Sequence, residues 1–226
     1  MDNVTVTPMN PNVAQVIARH RECVSETTVT YTGREFVMMP NVFCPLWAPS
    51  GRLGLAFASM PMFYGKRVLD IGCGSGIVAC LMAMHGASTV VAGDICDCAT
   101  RNAVENVRRF SLNKSVKVRQ GDLLDIIEKH ERFDYVFADL PFCDGNPRDE
   151  LEKAFFSPKL SIFSRFLHLF SQGAALQRSQ CFLCTSDLED LDLPRHCIES
   201  GLAISPFIAV QLPWIKLKCY RIEHGA

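Results

Sequence analysis

The sequence RVLDIGCGSGIVAC, residues 67–80, decides the fold of this chain. Val68 to Ile71 is an apolar run broken only by an acid, and a glycine follows it directly, which predicts a buried parallel strand that ends in a sharp turn. Ile77 to His85 is predicted to form a helix, and the free N–H groups of its first turn point back at the same place. A strand, a tight loop and a helix that open toward a ligand are therefore predicted here.

The loop between them alternates three glycines, Gly72, Gly74 and Gly76, with other residues. Glycine tolerates a positive φ and has no Cβ, so a ligand can lie against the main chain. Asp70 stands two residues before the first glycine, where its carboxylate would repel a pyrophosphate but not a sulfonium or ammonium cation. A spacing of this kind is shared with dinucleotide-binding folds and with ordinary turns, so the acid is the informative residue.

The run LDIGCGSG resembles motif I of the class I S-adenosylmethionine-dependent methyltransferases. The resemblance implies S-adenosyl-L-methionine as the cofactor and a Rossmann-like fold. The segment YTGREFVMMPNVFCPLWAPSG ahead of it is similar to the segment that precedes motif I in HemK-type and "small-domain" N-methyltransferases. The alternative for this earlier segment is a hairpin that only covers one face of the sheet.

Size and charge narrow the function. The 226 residues fit one domain with an extension, and a hydrophobic content of 48% is sufficient for a packed core. The formal charge of -1 gives no electrostatic signature of nucleic-acid binding, although nucleic acid stays possible. The sequence shows no membrane span and no signal peptide, so a cytoplasmic protein is expected, and nothing in it indicates an oligomeric state.

Strands and helices are predicted to alternate from Arg67 onward, which indicates crossover connections and a doubly wound, mostly parallel α/β sheet. Leu212-Pro213 is too short a link for a crossover, so the last of seven strands is predicted to be antiparallel. The predicted strands are 68–71, 88–93, 116–119, 135–139, 181–186, 203–212 and 214–222, and the predicted helices after residue 76 are 77–85, 98–110, 123–130, 151–170 (mostly helical) and 189–201.

The region before the sheet, residues 1–63, is predicted to be an extension that covers the substrate side, and residues 64–226 the cofactor-binding methyltransferase domain. Residues 1–12 look loose because of two prolines. The extension is then predicted to contain a helix over 13–24, a hairpin of strands 27–31 and 35–39, and a helix over 51–63 that Ser50 caps.

Acids stand at the ends of successive predicted strands, where ligands bind in doubly wound sheets. Asp94, followed by Ile95, ends the second strand and can accept the ribose hydroxyls of a nucleoside. Asp122, beside Leu123, is similar to the family's acid that meets the adenine amino group. Each acid could instead cap the helix that follows it. With Asp70, the three glycines and Asp139 at the end of the fourth strand, these residues make up the predicted cofactor site.

The fourth strand ends in Asp139-Leu140-Pro141-Phe142, which resembles motif IV of methyltransferases that act on nitrogen attached to a planar group. The resemblance implies that the carboxylate of Asp139 and the carbonyl of Leu140 hold the N–H groups of the acceptor and aim its lone pair, while Phe142 stacks on the flat substrate. Leu140 departs from the motif, which has proline there, and this removes a fixed φ. The alternative is a strand end turned by proline.

Other candidates carry less information. Phe43, Trp47 and Asp144 are predicted to contact substrate. His20 and His168 are interpreted as packing residues on apolar helix faces. The eleven cysteines are interpreted as reduced thiols, and Cys181 and Cys184 are predicted to face opposite sides of a strand, so no metal site is expected.

The predicted function is S-adenosylmethionine-dependent methylation of a nitrogen in a small molecule or a protein side chain. Methylation of an exocyclic amine of an RNA or DNA base is the first alternative. A catalytically silent methyltransferase fold that serves as a scaffold is a second alternative, suggested by Leu140. An NAD-dependent oxidoreductase is the third, and Asp70 disfavours it.

Overall fold

The computed structural model describes residues 9–189 and 191–225. Its helices are α1 (Pro11–Arg21), α2 (Gly51–Ala58), α3 (Ile77–Met84), α4 (Asp97–Arg109), α5 (Ser161–Gln172) and α6 (Leu193–Glu199). Its strands are β1 (Thr27–Tyr31), β2 (Arg34–Met38), β3 (Arg67–Ile71), β4 (Thr89–Asp94), β5 (Val116–Gln120), β6 (Tyr135–Asp139), β7 (Cys143–Asp144), β8 (Phe156–Ser157), β9 (Gln180–Ser186), β10 (Leu202–Gln211) and β11 (Lys216–His224). Short 3-10 turns lie at Pro61–Phe63, Leu123–Ile126, Glu152–Ala154 and Pro158–Leu160.

Seven strands form the central sheet in the order β10-β11-β9-β6-β3-β4-β5. The strands β3, β4, β5, β6 and β9 are parallel, and β11 runs antiparallel to both β9 and β10. The chain moves from β3 to one side and returns with β6 on the other, so the strand order reverses beside β3. The predicted doubly wound sheet with an antiparallel last strand is confirmed, and ligands bind at such a reversal in this class of sheet.

Both faces of the sheet are covered by apolar residues. On one face Phe57 stacks on Phe137, with ring centroids 4.8 Å apart, and Phe182 lies beside them. On the other face the buried aromatic residues of α5, Phe163 and Phe166 among them, fill the space against the strands. Cys184 belongs to the first cluster and Cys181 to the second, so the predicted opposite orientation of these two thiols is confirmed. Within residues 9–189 and 191–225 no helix is long and apolar enough to cross a lipid bilayer.

Two buried asparagines of α4 bind the main chain of β2 and of the residue after it. Asn106 accepts a hydrogen bond from the main-chain N–H of Val37 at 2.7 Å, and Asn102 accepts one from Met39 N–H at 2.9 Å. The amide groups of both asparagines also donate to the carbonyl of Val37. Both side chains are fully buried, so β2 obtains from them the hydrogen bonds that a neighbouring strand would supply.

Several predicted helices are wrong in extent. The helix predicted over 123–130 is only a 3-10 turn, Leu123–Ile126, because Leu123 has a φ of 49° and the guanidinium of Arg119 binds the carbonyl of Ile126 at 2.6 Å. The predicted helix over 151–170 is wrong in its first half: Pro158 and a positive φ at Lys159 delay α5 until Ser161.

The remaining corrections concern helix ends. The helix predicted over 51–63 ends at Ala58, and Ser50 makes no capping hydrogen bond. The first helix runs from Pro11 to Arg21 rather than over 13–24, and the helix predicted over 189–201 begins only at Leu193.

The loose segment predicted over residues 1–12 lies outside the described residues up to residue 8. His168, interpreted as a packing residue, is exposed on α5.

Candidate active site

A cavity of about 310 Å³ opens at the carboxyl ends of the parallel strands. It is bordered by the strand ends, the glycine loop, α1, the start of α2, the segment 139–158 and the turn between β10 and β11. Twelve of the residues predicted from the sequence line it: Phe43, Asp70, Gly72, Gly74, Asp94, Ile95, Asp122, Leu123, Asp139, Leu140, Pro141 and Phe142. The fold therefore brings the cofactor candidates and the motif IV candidates into one cavity.

Two glycines of the loop that line the cavity have a positive φ, a backbone conformation that is strained for residues with a side chain. Gly72 has a φ of +74° and Gly74 a φ of +52°. A Cβ on Gly72 would lie 3.3 Å from the carbonyl oxygen of Asp139, so the loop and the end of β6 approach each other closely. Gly76 does not line the cavity. A Cβ there would lie 2.7 Å from that of Ala103, so this glycine lets α3 approach α4.

Asp70 is the most unusual polar group of the cavity. It is 2% exposed, and its Oδ2 has no hydrogen-bond partner among the described residues. Burial, together with the negative charges of Asp139 and Asp94, raises the pKa of Asp70 to about 8. A cation placed beside these carboxylates would supply both the missing partner and the compensating charge. These carboxylates thus fit the ammonium and sulfonium groups of adenosylmethionine and do not fit a pyrophosphate.

Asp94 joins two parts of the site. Its Oδ2 accepts a hydrogen bond from Gly74 N–H at 3.0 Å, and its Oδ1 accepts one from Cys96 N–H at 2.9 Å. Burial raises the pKa of Asp94, and these hydrogen bonds oppose the rise. Each oxygen has a second lone pair, so the carboxylate can still accept two hydroxyl groups.

Asp122 makes an ion pair with Arg165 of α5, at 2.6 Å between Oδ2 and a guanidinium nitrogen. Its side chain makes no hydrogen bond that caps the 3-10 turn after it. The next residue, Leu123, is buried with a φ of 49°, which a bulky side chain adopts only under strain. Arg165 also lines the cavity. Arg165 is not among the residues predicted from the sequence, because an arginine on a helix far along the chain gives no local signal.

The residues of the motif IV run lie between β6 and β7. Asp139 is partly buried, and burial raises its pKa to about 7. Leu140 is 3% exposed and belongs to the apolar core on the α5 face. Phe142 contacts all three apolar clusters of the protein. Asp139 can thus exchange a proton near neutral pH, and the buried Leu140 side chain anchors the loop that carries it.

Two predicted substrate residues lie outside the cavity lining. Trp47 packs edge-on against His20, and the guanidinium of Arg19 lies over its ring, 5.4 Å from the centroid. Asp144 is exposed, and its carboxylate accepts a hydrogen bond from Lys159 N–H at 2.6 Å. Both support neighbouring segments of the site in this structure.

Comparison with known proteins identifies the central part of the chain. Residues 68–156 match a family model described as "Methyltransferase domain". Over 92 residues the chain is 38% identical to the ribosomal protein L11 methyltransferase of Thermotoga petrophila, which covers 41% of this chain and 33% of that protein. It is 29% identical over 153 residues to the release factor glutamine methyltransferase of Koribacter versatilis, with 66% of this chain and 51% of that protein covered.

The fold also matches solved structures. The Streptococcus pneumoniae protein Sp1610, in complex with S-adenosyl-L-methionine, superposes with a TM-score of 0.60 at 18% identity over 77% of this chain and 72% of that chain. The chain spans between a third and about half of the length of the curated relatives named above. These findings confirm the predicted resemblance for the central part of the chain: residues 68–156 match a methyltransferase domain, and the curated relatives named above are methyltransferases.

Proposed function

We propose that this methyltransferase domain binds S-adenosyl-L-methionine and transfers its methyl group to a nitrogen of a small molecule or a protein side chain. One observation carries the proposal: the unpartnered, buried carboxylate of Asp70 and the half-buried carboxylate of Asp139 line the same cavity. A cationic group of a ligand would find its partner in the Asp70 carboxylate. A nitrogen beside Asp139 would find an acceptor for its N–H groups in that carboxylate.

The cofactor end of the cavity would use residues from three strand ends. Asp70 would hold the ammonium group, Asp94 the ribose hydroxyls and Asp122 the adenine amino group, with Gly72 and Gly74 admitting the ligand against the main chain. When bound, adenosylmethionine supplies an activated methyl group, which moves to the acceptor's lone pair as its C–S bond breaks and the electron pair stays on sulfur. The chain's contribution is then mainly alignment.

The acceptor end would use the motif IV residues. Asp139 and the carbonyl of Leu140 would hold the N–H groups of the acceptor, which turns the nitrogen lone pair toward the cofactor end. Because the pKa of Asp139 is raised to about 7, its carboxylate can take up the proton that the nitrogen loses. The side chain of Leu140 is buried in the core, and this packing restrains the loop where the motif has a proline.

The cofactor assignment is tested by thermal unfolding with adenosylmethionine, its demethylated product S-adenosylhomocysteine, and NAD. A ligand that binds only the folded chain raises its stability by about 2.7 kcal/mol at a hundred times its Kd. We expect the first two ligands to raise the melting temperature and NAD to leave it unchanged. A rise with NAD alone would favour an oxidoreductase, and no rise with any ligand would favour a silent scaffold.

The acceptor is tested by transfer of a labelled methyl group to fractionated cell extract. We expect label in the small-molecule or protein fraction and none with Asp139→Ala. Label confined to RNA or DNA would contradict the proposed acceptor class and support base methylation instead. Asp144→Ala is the matched control, since this acid lies on the same loop but outside the cavity lining.

A further inference from the structure

An apolar cluster separate from the main core lies next to Phe142. Buried Val13 and Phe155 belong to it, and Val16, Phe43 and Trp214 pack against it. These residues come from α1, the segment before α2, the segment after β7 and the turn before β11. All of them also line the cavity. These residues and Phe142 line one part of the cavity, which we call the acceptor chamber; its residues are Val13, Val16, Phe43, Phe142, Phe155 and Trp214.

His20 holds two walls of the acceptor chamber from behind. Its ring stacks on Phe43 at 5.2 Å and meets Phe155 edge-on at 5.6 Å between centroids. Its Nε2 accepts a hydrogen bond from Cys44 N–H at 2.9 Å, so Nδ1 carries the hydrogen and donates to the carbonyl of Val16 at 2.7 Å. Both ring nitrogens are used, and the aromatic walls are therefore held in place without a ligand.

The cations that line the cavity are each paired with an acid. Among the described residues that line it, the cations are Lys153 and Arg165. Lys153 is paired with Glu150 at 2.6 Å, and the carbonyl of Glu150 accepts from the thiol of Cys96, two residues after Asp94. Arg165 is paired with Asp122 on the cofactor side, as described above. Asp139, which precedes Phe142 of the acceptor chamber by three residues, makes no ion pair among the described residues.

This arrangement discriminates among acceptors. A nucleotide brings phosphates, which are bound by cations, and the acceptor chamber presents none. A peptide segment lying inside the acceptor chamber would bury main-chain N–H and C=O groups against apolar side chains, which costs free energy for each group left without a partner. An uncharged ring compound loses little hydration free energy when it moves from water into the acceptor chamber, and it gains apolar contact there.

We infer that the methyl acceptor is a small, uncharged, apolar ring compound that carries the reacting nitrogen and occupies the acceptor chamber. The inference rests on the proposed function and deepens it, since the same cavity is involved. The ring would stack on Phe142 and Phe43, and its nitrogen would face Asp139.

The test measures binding by calorimetry to protein saturated with S-adenosylhomocysteine. The probes are indole, quinoline, benzimidazole and benzamide, with benzimidazole-5-carboxylate, total tRNA and a glutamine-containing peptide for comparison. We expect saturable binding of at least one uncharged ring compound, and methyl transfer from labelled adenosylmethionine to it but not to tRNA or peptide. Val16→Phe should fill the acceptor chamber and weaken this binding by about tenfold or more, which corresponds to ~1.4 kcal/mol.

Val24→Phe is the matched control, because Val24 is 83% exposed just beyond α1 and does not line the cavity. It should leave probe binding within about twofold, well under the ~1.4 kcal/mol of a tenfold change. All three proteins should bind S-adenosylhomocysteine equally, which shows that they are folded; if Val16→Phe fails this check, Val16→Ala replaces it and should also change probe affinity. Transfer to tRNA or peptide, or no probe binding by protein that holds S-adenosylhomocysteine, would overturn the inference. Failure to bind S-adenosylhomocysteine at all would instead contradict the proposed function.

Discussion

The carbonyl oxygen of Asp139 lies so close to Gly72 that a Cβ on this glycine would be 3.3 Å from it. Gly72 directly follows β3 and Asp139 ends β6, and the two strands are paired in the sheet. The close approach joins the loop that would admit the cofactor to the strand end that would hold the acceptor. A small change at either residue should therefore alter both the cofactor side and the acceptor side of the cavity.

The first prediction concerns this contact. Gly72→Ala forces a side chain into a backbone with a φ of +74° and against Asp139, so we expect a loss of about 1–3 kcal/mol of stability and weaker adenosylmethionine binding. Gly33→Ala is the matched control, because Gly33 also has a φ of +74° but nothing lies within 4 Å of its Cβ position. Calorimetric Kd values for both variants check this. Equal affinity in the two variants would mean that the contact has no bearing on the cofactor.

The second prediction separates the roles of two acids. Asp94→Ala removes the acceptor of Gly74 N–H and Cys96 N–H, so adenosylmethionine affinity should fall by about 10- to 100-fold, or ~1.4–2.7 kcal/mol. Asp139→Ala should leave this affinity within about threefold, less than ~0.7 kcal/mol, and abolish methyl transfer. Isothermal calorimetry and a labelled-methyl assay measure the two effects. A comparable loss of affinity in both variants contradicts the division of roles.

The third prediction concerns pH. Because the pKa of Asp70 rises from 3.8 to about 8 on folding, the folded chain keeps a proton there that the unfolded chain has lost. Its contribution to stability is present below about pH 4 and is lost as the pH rises toward about 8. The Asn side chain of Asp70→Asn cannot ionise. The melting temperature of this variant, relative to that of the wild type, should therefore increase as the pH rises between these values. A difference that stays constant with pH would show that Asp70 is ionised throughout.

A ligand should alter that pH dependence. A cation beside Asp70 stabilises the ionised form, so saturating adenosylmethionine should reduce the loss of stability toward pH 8 in the wild type. The same ligand should have a smaller effect on Asp70→Asn, and this effect should depend less on pH. Melting curves with and without ligand at several pH values provide the measurement.

The fourth prediction concerns the attachment of α1, which borders the acceptor chamber. Glu152 is 1% exposed and binds Arg148 and, at 2.9 Å, Arg21 at the end of α1. Glu152→Gln should cost about 1–3 kcal/mol and speed amide hydrogen exchange in α1. Glu199→Gln is the control, since its pair with Arg195 is exposed and worth about 0–1 kcal/mol. Unchanged exchange in α1 would show that this ion pair does not hold the helix.

The hydrogen bonds from Arg148 and the charge of Arg21 give Glu152 a pH dependence of the opposite sign from Asp70. Its two arginine partners lower the pKa of Glu152 to about 2, so its contribution is present above its ordinary value of 4.5 and is lost as the pH falls toward 2. Acid should therefore release α1 before the sheet unfolds. Hydrogen exchange at pH 3 and pH 6 compares the two states.

The central sheet and the cofactor side of the cavity could be predicted because their signals are local. An apolar run of four to six residues, a glycine turn and an acid at the strand end are contiguous in sequence, as in Val68 to Gly76 and in the run that ends at Asp94. Segments without such periodicity were predicted poorly. The stretch 123–130 has helical composition, but the strained Leu123 and the contacts of Arg119 override that propensity.

The sequence by itself determined the doubly wound sheet, the direction of its last strand and the acids at its strand ends, because each follows from patterns within a few residues. Only the tertiary structure decided which groups meet: Asn102 and Asn106 with β2, Arg165 with Asp122, and α1 with the segment after β7 around Phe142. These contacts join residues far apart in the chain, and their free energy depends on packing and burial that no single segment encodes. For that reason the cofactor side of the cavity could be predicted from the sequence, whereas the acceptor chamber could be described only from the tertiary structure.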